Sequence, residues 1–435
     1  MLCLLCWLPL PLGSNREWSS SLFVVITALL AATLAISRLK TPHHSTATRA
    51  ALPLLILLAA TQLWVAVQWA AGLSADGGAT FRYLLLGTAY TLLFWLVINL
   101  FASRRRLILL LAVLTVSGTL QAFYGTFMTL SGTEWLLSGP KEHYRGVVTG
   151  TFVNRNHLAG YLELTISCAI GLMLALRDGK PFTWRSLVEL LLSAKLRLRL
   201  ALVIMVIALV MSQSRMGNTA FVAALLIIGA LFVLANKEHR LRNGLILASL
   251  IAIDVLIISQ YFGLENLKNR LVETQLEDVV VNGEVIRRGN VDRDDIARYL
   301  LPMIAERPLT GFGAGSFATS FASYPGQDIR LDFDHAHNDF LQFIVEFGLI
   351  GTLPLALFVL ICLYHGLRAL WRGDSLFRSG VGFGAAMGIL ALMIHSATDF
   401  NLQIPANAAT YIVVCAIAVI VNRGTGDGVG RISAA

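Results

Sequence analysis

The sequence predicts an all-α polytopic membrane protein, and three observations carry that expectation. The 435 residues are 56% hydrophobic and 14% charged, with a mean hydropathy of +0.70, far from the composition of a soluble globular chain. The apolar residues fall in runs of about 17 to 25, the length an α-helix needs to cross about 30 Å of hydrocarbon, so helices and not barrel strands do the spanning. Lysine and arginine concentrate in alternate loops, as they do in multi-pass chains. The net charge of +8 is therefore a matter of loop topology and not a footprint for nucleic acid.

Twelve apolar windows follow in order: 1–13, 21–37, 51–71, 83–101, 107–130, 158–176, 200–214, 217–235, 244–263, 339–366, 380–397 and 404–422. Charged or Gly/Pro-bearing breaks separate them. The first, "MLCLLCWLPLPLG", has no basic flank and no small-residue cleavage site, so it reads as a membrane helix and not as a cleaved signal peptide. One set of loops holds Arg38, Lys40 and Arg49, then Arg104, Arg105 and Arg106, then the basic run 177–199, then Lys237, Arg240 and Arg242, then Arg368, Arg372 and Arg378. That set is expected on the cytoplasmic side. Both termini then lie inside, and the segments 131–157 and 264–338 lie outside. The chain divides accordingly into nine N-terminal helices over 1–263, an outer loop over 264–338, and three helices with a short cytoplasmic tail over 339–435. Cys3, Cys6, Cys168, Cys362 and Cys415 sit in or beside apolar segments without paired spacing, as small packing residues do.

The outer loop has helix-like stretches around "DRDDIARYLLPMIAERP" and a turn-rich "TGFGAGSF". With no strand before it, this G-x-G-x-G reads as a compact turn that lets backbone approach the membrane face, more than as a phosphate loop. The loop ends in "FDHAHNDFLQF", Phe333 to Phe343. Three readings stand side by side there. His335, His337, Asp334 and Asp339 are metal-ligand types, but no third His or Cys completes a tetrahedral set. Asn338 or Asp339 suits the cap of the following helix. A histidine at a membrane–water boundary suits the acceptance of a proton from a hydroxyl. On an extended backbone, His335 and His337 would point the same way.

Charge at a membrane edge is costly and marks candidates for function. Arg215, in "MSQSRMGNTAF", is either an interface arginine or an anion clamp, since a guanidinium offers a planar fork of donors to phosphate oxygens. Arg293 and Arg298, in "VDRDDIARYL", are either members of a surface salt-bridge network or part of the site. His395 and Asp399, in "MIHSATDFNLQIP", return to the outer face and line the same cavity in this reading.

These motifs, taken in this order, resemble the O-antigen ligase and O-antigen polymerase superfamily. The likeness runs from "LPLPLGSNREW" through "SQSR", "PLTGFGAGSF" and "AHNDFLQFIVEFGLIG" to "HSATDFNLQIP", nearly the whole chain. It implies a GT-C-like glycosyltransferase of the inner membrane facing the periplasm, with 264–338 as its periplasmic loop. Such an enzyme moves a glycan from undecaprenyl pyrophosphate to a hydroxyl, with no cofactor. The resemblance makes Arg215 the span-end arginine, Arg293 the loop arginine with Arg298 as the other candidate, and His337 the family histidine. "GTFVNRNHLAGYLEL" resembles a subset of members and adds Arg155, Asn156 and His157 to the site. His335, Asn338 and His395 complete the expected substrate-binding set.

The expected acceptor is lipid A–core, as in an O-antigen ligase. The alternatives within the superfamily are a growing glycan, as in a polymerase, or a protein, as in an O-oligosaccharyltransferase. A secondary transporter or flippase is the alternative of another class; it would carry matched halves and charges near the midplane.

Overall fold

The computed structural model describes residues 1–40, 46–176, 194–235, 279–281, 284–286, 291–324, 333–372 and 375–423, with single positions 240, 244 and 248. It is an all-α helical bundle. The long helices are α2 (Glu17–Lys40), α3 (Thr46–Ala70), α4 (Gly77–Leu100), α5 (Arg104–Leu130), α6 (Arg155–Ala175), α7 (Ala194–Met211) and α8 (Arg215–Ala235). A short α1 (Leu2–Trp7) precedes them. After α8 come α9 (Val291–Glu306), the one-turn α10 (Phe317–Phe321), α11 (Asp339–Arg372), α12 (Leu376–Ser396) and α13 (Pro405–Arg423). Among the described residues nine helices are long and apolar enough to cross a membrane. Two small antiparallel pairs, Trp135–Leu136 with Gly139–Pro140 and Val279–Val281 with Glu284–Ile286, are the β-structure of the described residues.

The expected windows coincide with helices to within a few residues, with two exceptions. Residues 1–13 do not form a span: α1 has six residues and ends ahead of Pro9 and Pro11, and a single 3-10 turn at Leu12–Ser14 closes on Gly13 at φ 72°. Proline removes the donors and locks the backbone that a continuing helix needs. The window 244–263, apart from positions 244 and 248, and residues 177–193 of the basic run lie outside the described residues.

Polar caps fix where helices begin. Asp76 accepts from the Ala79 amide at 2.9 Å to start α4, Asn154 accepts from the Asn156 amide at 2.8 Å to start α6, and Asn338 accepts from the Leu341 amide at 3.1 Å to start α11. From α2 to α8 the long helices run in alternate directions, as they do from α11 to α13. The starts of α2, α4, α6, α8, α11 and α13 gather at one end with α9 and α10, while Arg104, Arg105, Arg106, Arg197, Arg199, Arg368 and Arg378 lie at the other.

The centre of the bundle is α12, packed between α6, α8, α11 and α13. Its small-residue stripe makes this approach close. Gly380, Gly384 and Gly388 face Ser167, Gly171 and Ala175 of α6, so that a Cβ at Gly384 would stand 2.5 Å from the Ser167 carbonyl oxygen and one at Gly171 2.9 Å from Gly384 Cα. Without a hydrophobic drive between helices in lipid, such backbone proximity supplies the packing. Gly384→Val is expected to destabilise the protein by about 1–3 kcal/mol through overpacking. Thermal unfolding in detergent checks this, and a wild-type midpoint for the variant would contradict the seam.

The segment from α9 to the start of α11 has a core of its own. Ile296, Leu300 and Met303 on one face of α9 pack with Phe312, Phe317, Phe321, Ala336 and Val345. The glycine-rich run lies between α4 and α11 as a turn with close backbone approach. The Phe312 and Gly313 amides donate to the Val345 and Glu346 carbonyls at 2.9 Å, and the Ala75 amide donates to the Phe312 carbonyl at 2.7 Å. Here α11 is broken at Gly348, which takes φ 60° and ψ −175°. A side chain there would run into the Leu309 backbone.

Candidate active site at one end of the bundle

Four pieces of chain meet at the end where α6, α8, α11 and α13 begin. The cap on α6 puts Arg155, Asn156 and His157 in its first turn. Asn156 Nδ2 donates to Asp399 Oδ2 at 2.5 Å, and His157 Nε2 stands 3.7 Å from Asp399 Oδ1, an ion-pair separation and not a hydrogen bond. The Phe400 amide donates to Asp399 Oδ1 at 2.8 Å. Burial by itself would raise the Asp399 carboxyl, but His157, His395, the Phe400 amide and His337 outweigh it and hold the group below the ordinary carboxylate value. A lowered folded-state value means that Asp399 adds stability near neutrality, and that this is lost as pH falls through the lowered value.

Phe400 is the hub of the histidines. His335 stacks on its ring at 4.4 Å and 22°, while His157 and His337 meet it edge-on at 4.6 Å and 4.8 Å. The expectation of an extended backbone through both loop histidines is corrected: His337 takes a left-handed φ of 49°. Asn and Asp commonly take that conformation and histidine shares the preference, whereas most side chains avoid it. Ala336, buried in the outer-segment core, anchors the pair from between. Burial also pushes the His335 imidazole below its ordinary value, against Asp334, Gln342 and Asp399.

Asn338 does double duty at the start of α11. Beyond its cap, its Nδ2 donates to the Ala397 carbonyl at 2.8 Å. Asp339, fully buried, accepts from the Leu402 amide at 3.0 Å and from Gln403 Nε2 at 3.2 Å. One turn on, Gln342 bonds the Ala336 amide, His335 and Glu346, and Glu346 accepts from the Gly315 amide at 2.9 Å. Deeper between α6 and α12, His395 Nδ1 meets Glu163 Oε1 at 2.7 Å with both side chains fully buried.

The structure thus brings together Asn156, His157, His335, His337, Asn338 and His395 around Asp399 and Phe400. The arginines lie at the same end but further out. The Arg155 guanidinium sits 5.5 Å over the Tyr144 ring. Arg215 is exposed on the first turn of α8, two residues from Gly217, which packs against Ala159 of α6. Arg298 is exposed on α9; Arg293 lies on the same helix, and its side chain is outside the described ones. Among the described residues no three of His, Cys, Asp and Glu converge as a metal-ligand set would.

Glu163, Glu346 and Phe400 were not singled out from sequence. The first was legible as a lone carboxylate in an apolar run, the same signal that marks any intramembrane charge. Two hollows adjoin the cluster. A cleft of about 290 Å³ opens between α2 and α4 over Arg82, Tyr83, Gly315 and Gln403, and an apolar cavity of about 140 Å³ lies between α3, α4, α11 and α13, sharing Tyr83, Leu86 and Gln403 with it.

Residues 200–356 match the family model described as O-antigen ligase. The matched span takes in Arg215, Arg293, Arg298, His335, His337 and Asn338. No curated protein sequence matches the chain.

Proposed function

We propose, from the match of residues 200–356 to the family model described as O-antigen ligase, that the chain is a glycosyltransferase of the O-antigen ligase and polymerase superfamily, a periplasm-facing, inverting enzyme of the inner membrane. It moves a glycan from undecaprenyl pyrophosphate to an acceptor hydroxyl, that of lipid A–core. The observation that carries this reading is the gathering of His337, His335, His157 and Asp399 around Phe400 at the bundle end away from the basic loops. A lysine- and arginine-rich end is the one retained in the cytoplasm, which turns the histidines outward.

In this mechanism the acceptor oxygen attacks the anomeric carbon while His337 takes the hydroxyl proton. The bond from that carbon to the pyrophosphate oxygen breaks, and configuration inverts in the single displacement. Negative charge grows on the departing lipid pyrophosphate, where Arg215 and Arg293 stabilise it. The cleft and the apolar cavity beside it, which share Tyr83, Leu86 and Gln403, are where this reading places the approach of the lipid-linked donor.

Arg215→Ala should lower transfer from purified lipid-linked donor by about thirty- to a thousandfold, the worth of one charge-assisted contact of about 2–4 kcal/mol. Lysine should rescue poorly, since it lacks the planar fork. A variant that assembles in the membrane and transfers glycan at the wild-type rate would place the clamp elsewhere.

A further inference from the structure

We infer that Gln342 and Glu346 hold His335 as the tautomer protonated on Nε2, so that it serves the site as a hydrogen-bond donor to a phosphate oxygen and not as a base. The part naming the ligand rests on the glycosyltransferase reading; the tautomer does not.

The argument starts from the Gln342 amide, whose orientation is fixed by a partner of one kind. The Ala336 backbone amide lies 3.0 Å from one arm of it, and a backbone N–H can only donate, so that arm is Oε1. The other arm is then Nε2, with two hydrogens to give. It has two neighbours to receive them: Glu346 Oε1 at 3.0 Å and His335 Nδ1 at 3.1 Å. Nδ1 therefore accepts, and the ring proton of the neutral imidazole sits on Nε2. Glu346 is itself held, by the Gly315 amide at 2.9 Å, and both Gln342 and Glu346 are fully buried. The Phe400 ring stacked at 4.4 Å fixes the plane in which Nε2–H points.

Protonating Nδ1 would set an N–H against the N–H of Gln342 and break the chain at its centre. The burial that keeps His335 neutral acts in the same sense, with Asp334 and Asp399 the charged groups that oppose it. Among the described residues Nε2 has no hydrogen-bond partner in the protein, which leaves its proton for a ligand. A neutral donor suits a phosphate oxygen whose charge is balanced, in the proposed mechanism, by Arg215 and Arg293. Gln342 and Glu346 are positioning residues in this scheme, acting through the imidazole.

The test uses the full chain in lipid nanodiscs with ¹⁵N-labelled histidine, His335 being assigned by its absence in His335→Gln. The expected spectrum shows Nδ1 unprotonated and Nε2 protonated through neutral pH, with the Nε2 proton signal moving on addition of inorganic pyrophosphate. Gln342→Glu, which puts a carboxylate oxygen opposite Nδ1, should transfer the proton to Nδ1. In transfer assays His335→Gln, whose amide still donates, should retain at least about tenfold more activity than His335→Ala, the worth of one such bond. A wild-type proton on Nδ1, a Nε2 signal indifferent to pyrophosphate, or equal losses in the two variants would overturn the inference. Absence of glycan transfer by the wild-type protein would instead remove the functional reading and leave the tautomer standing.

Discussion

Replacing His337 by alanine is expected to lower glycan transfer by about 10²- to 10⁴-fold, the usual contribution of a general base, while donor binding survives. The motive is position. His337 lies where the outer segment returns to the bundle, edge-on to Phe400 at 4.8 Å and to Phe333 at 6.1 Å, on a backbone with φ 49°. Strained backbone of this kind collects at sites where a side chain must be aimed. With His335 tied through Nδ1 to Gln342, the proton-accepting role falls to its neighbour. Activity should decline on acidification as the base becomes protonated, and should persist in a chelator. Full activity of His337→Ala, or loss of wild-type activity in chelator with recovery on a divalent cation, would overturn the assignment.

Glu163→Leu is expected to be the most destabilising single change inside the bundle, at about 3–5 kcal/mol, because removing one member of a buried pair leaves the other without compensation. Glu163 and His395 are both fully buried and 2.7 Å apart, on α6 and α12, about one turn beyond the glycine seam along α6 and about two along α12. The lost partner therefore reaches the packing as well as the polar contact. Glu163→Gln should cost less, since an amide still bonds Nδ1. The double variant Glu163→Leu, His395→Leu should recover much of the loss, since no polar group is then stranded. Unfolding midpoints in detergent decide it: a Glu163→Leu protein as stable as wild type would show that the pair contributes nothing.

The spans were legible because apolar run length is a property of composition, and the bilayer converts it directly into helices. The window 1–13 misled for the same reason, since hydropathy does not register what Pro9 and Pro11 do to a backbone. In the loop motif the cap by Asn338 followed from residue type alone. What stayed hidden is relational. That Phe400 touches three imidazoles, or that Gln342 faces His335 and Glu346 at once, depends on how four distant segments meet. The stripe of Gly380, Gly384 and Gly388 was not singled out from sequence, and its partner Ser167, Gly171 and Ala175 becomes meaningful only when α6 and α12 are neighbours.

The break at Gly348 settles what kind of medium surrounds the polar network. An unbroken helix of 34 residues would measure about 51 Å, far more than the about 30 Å of hydrocarbon it must cross. The piece after the break is long enough to span by itself, so the piece before it, with Asp339, Gln342 and Glu346, is shielded by protein and not by acyl chains. Fixed dipoles replace water there: Trp64 Nε1 and Gln68 Nε2 of α3 donate to the Phe347 and Glu346 carbonyls at 2.8 and 2.9 Å, satisfying groups that the break releases. Two side chains of α3 thereby pin the short helix that carries Asp339, Gln342 and Glu346 at its broken end.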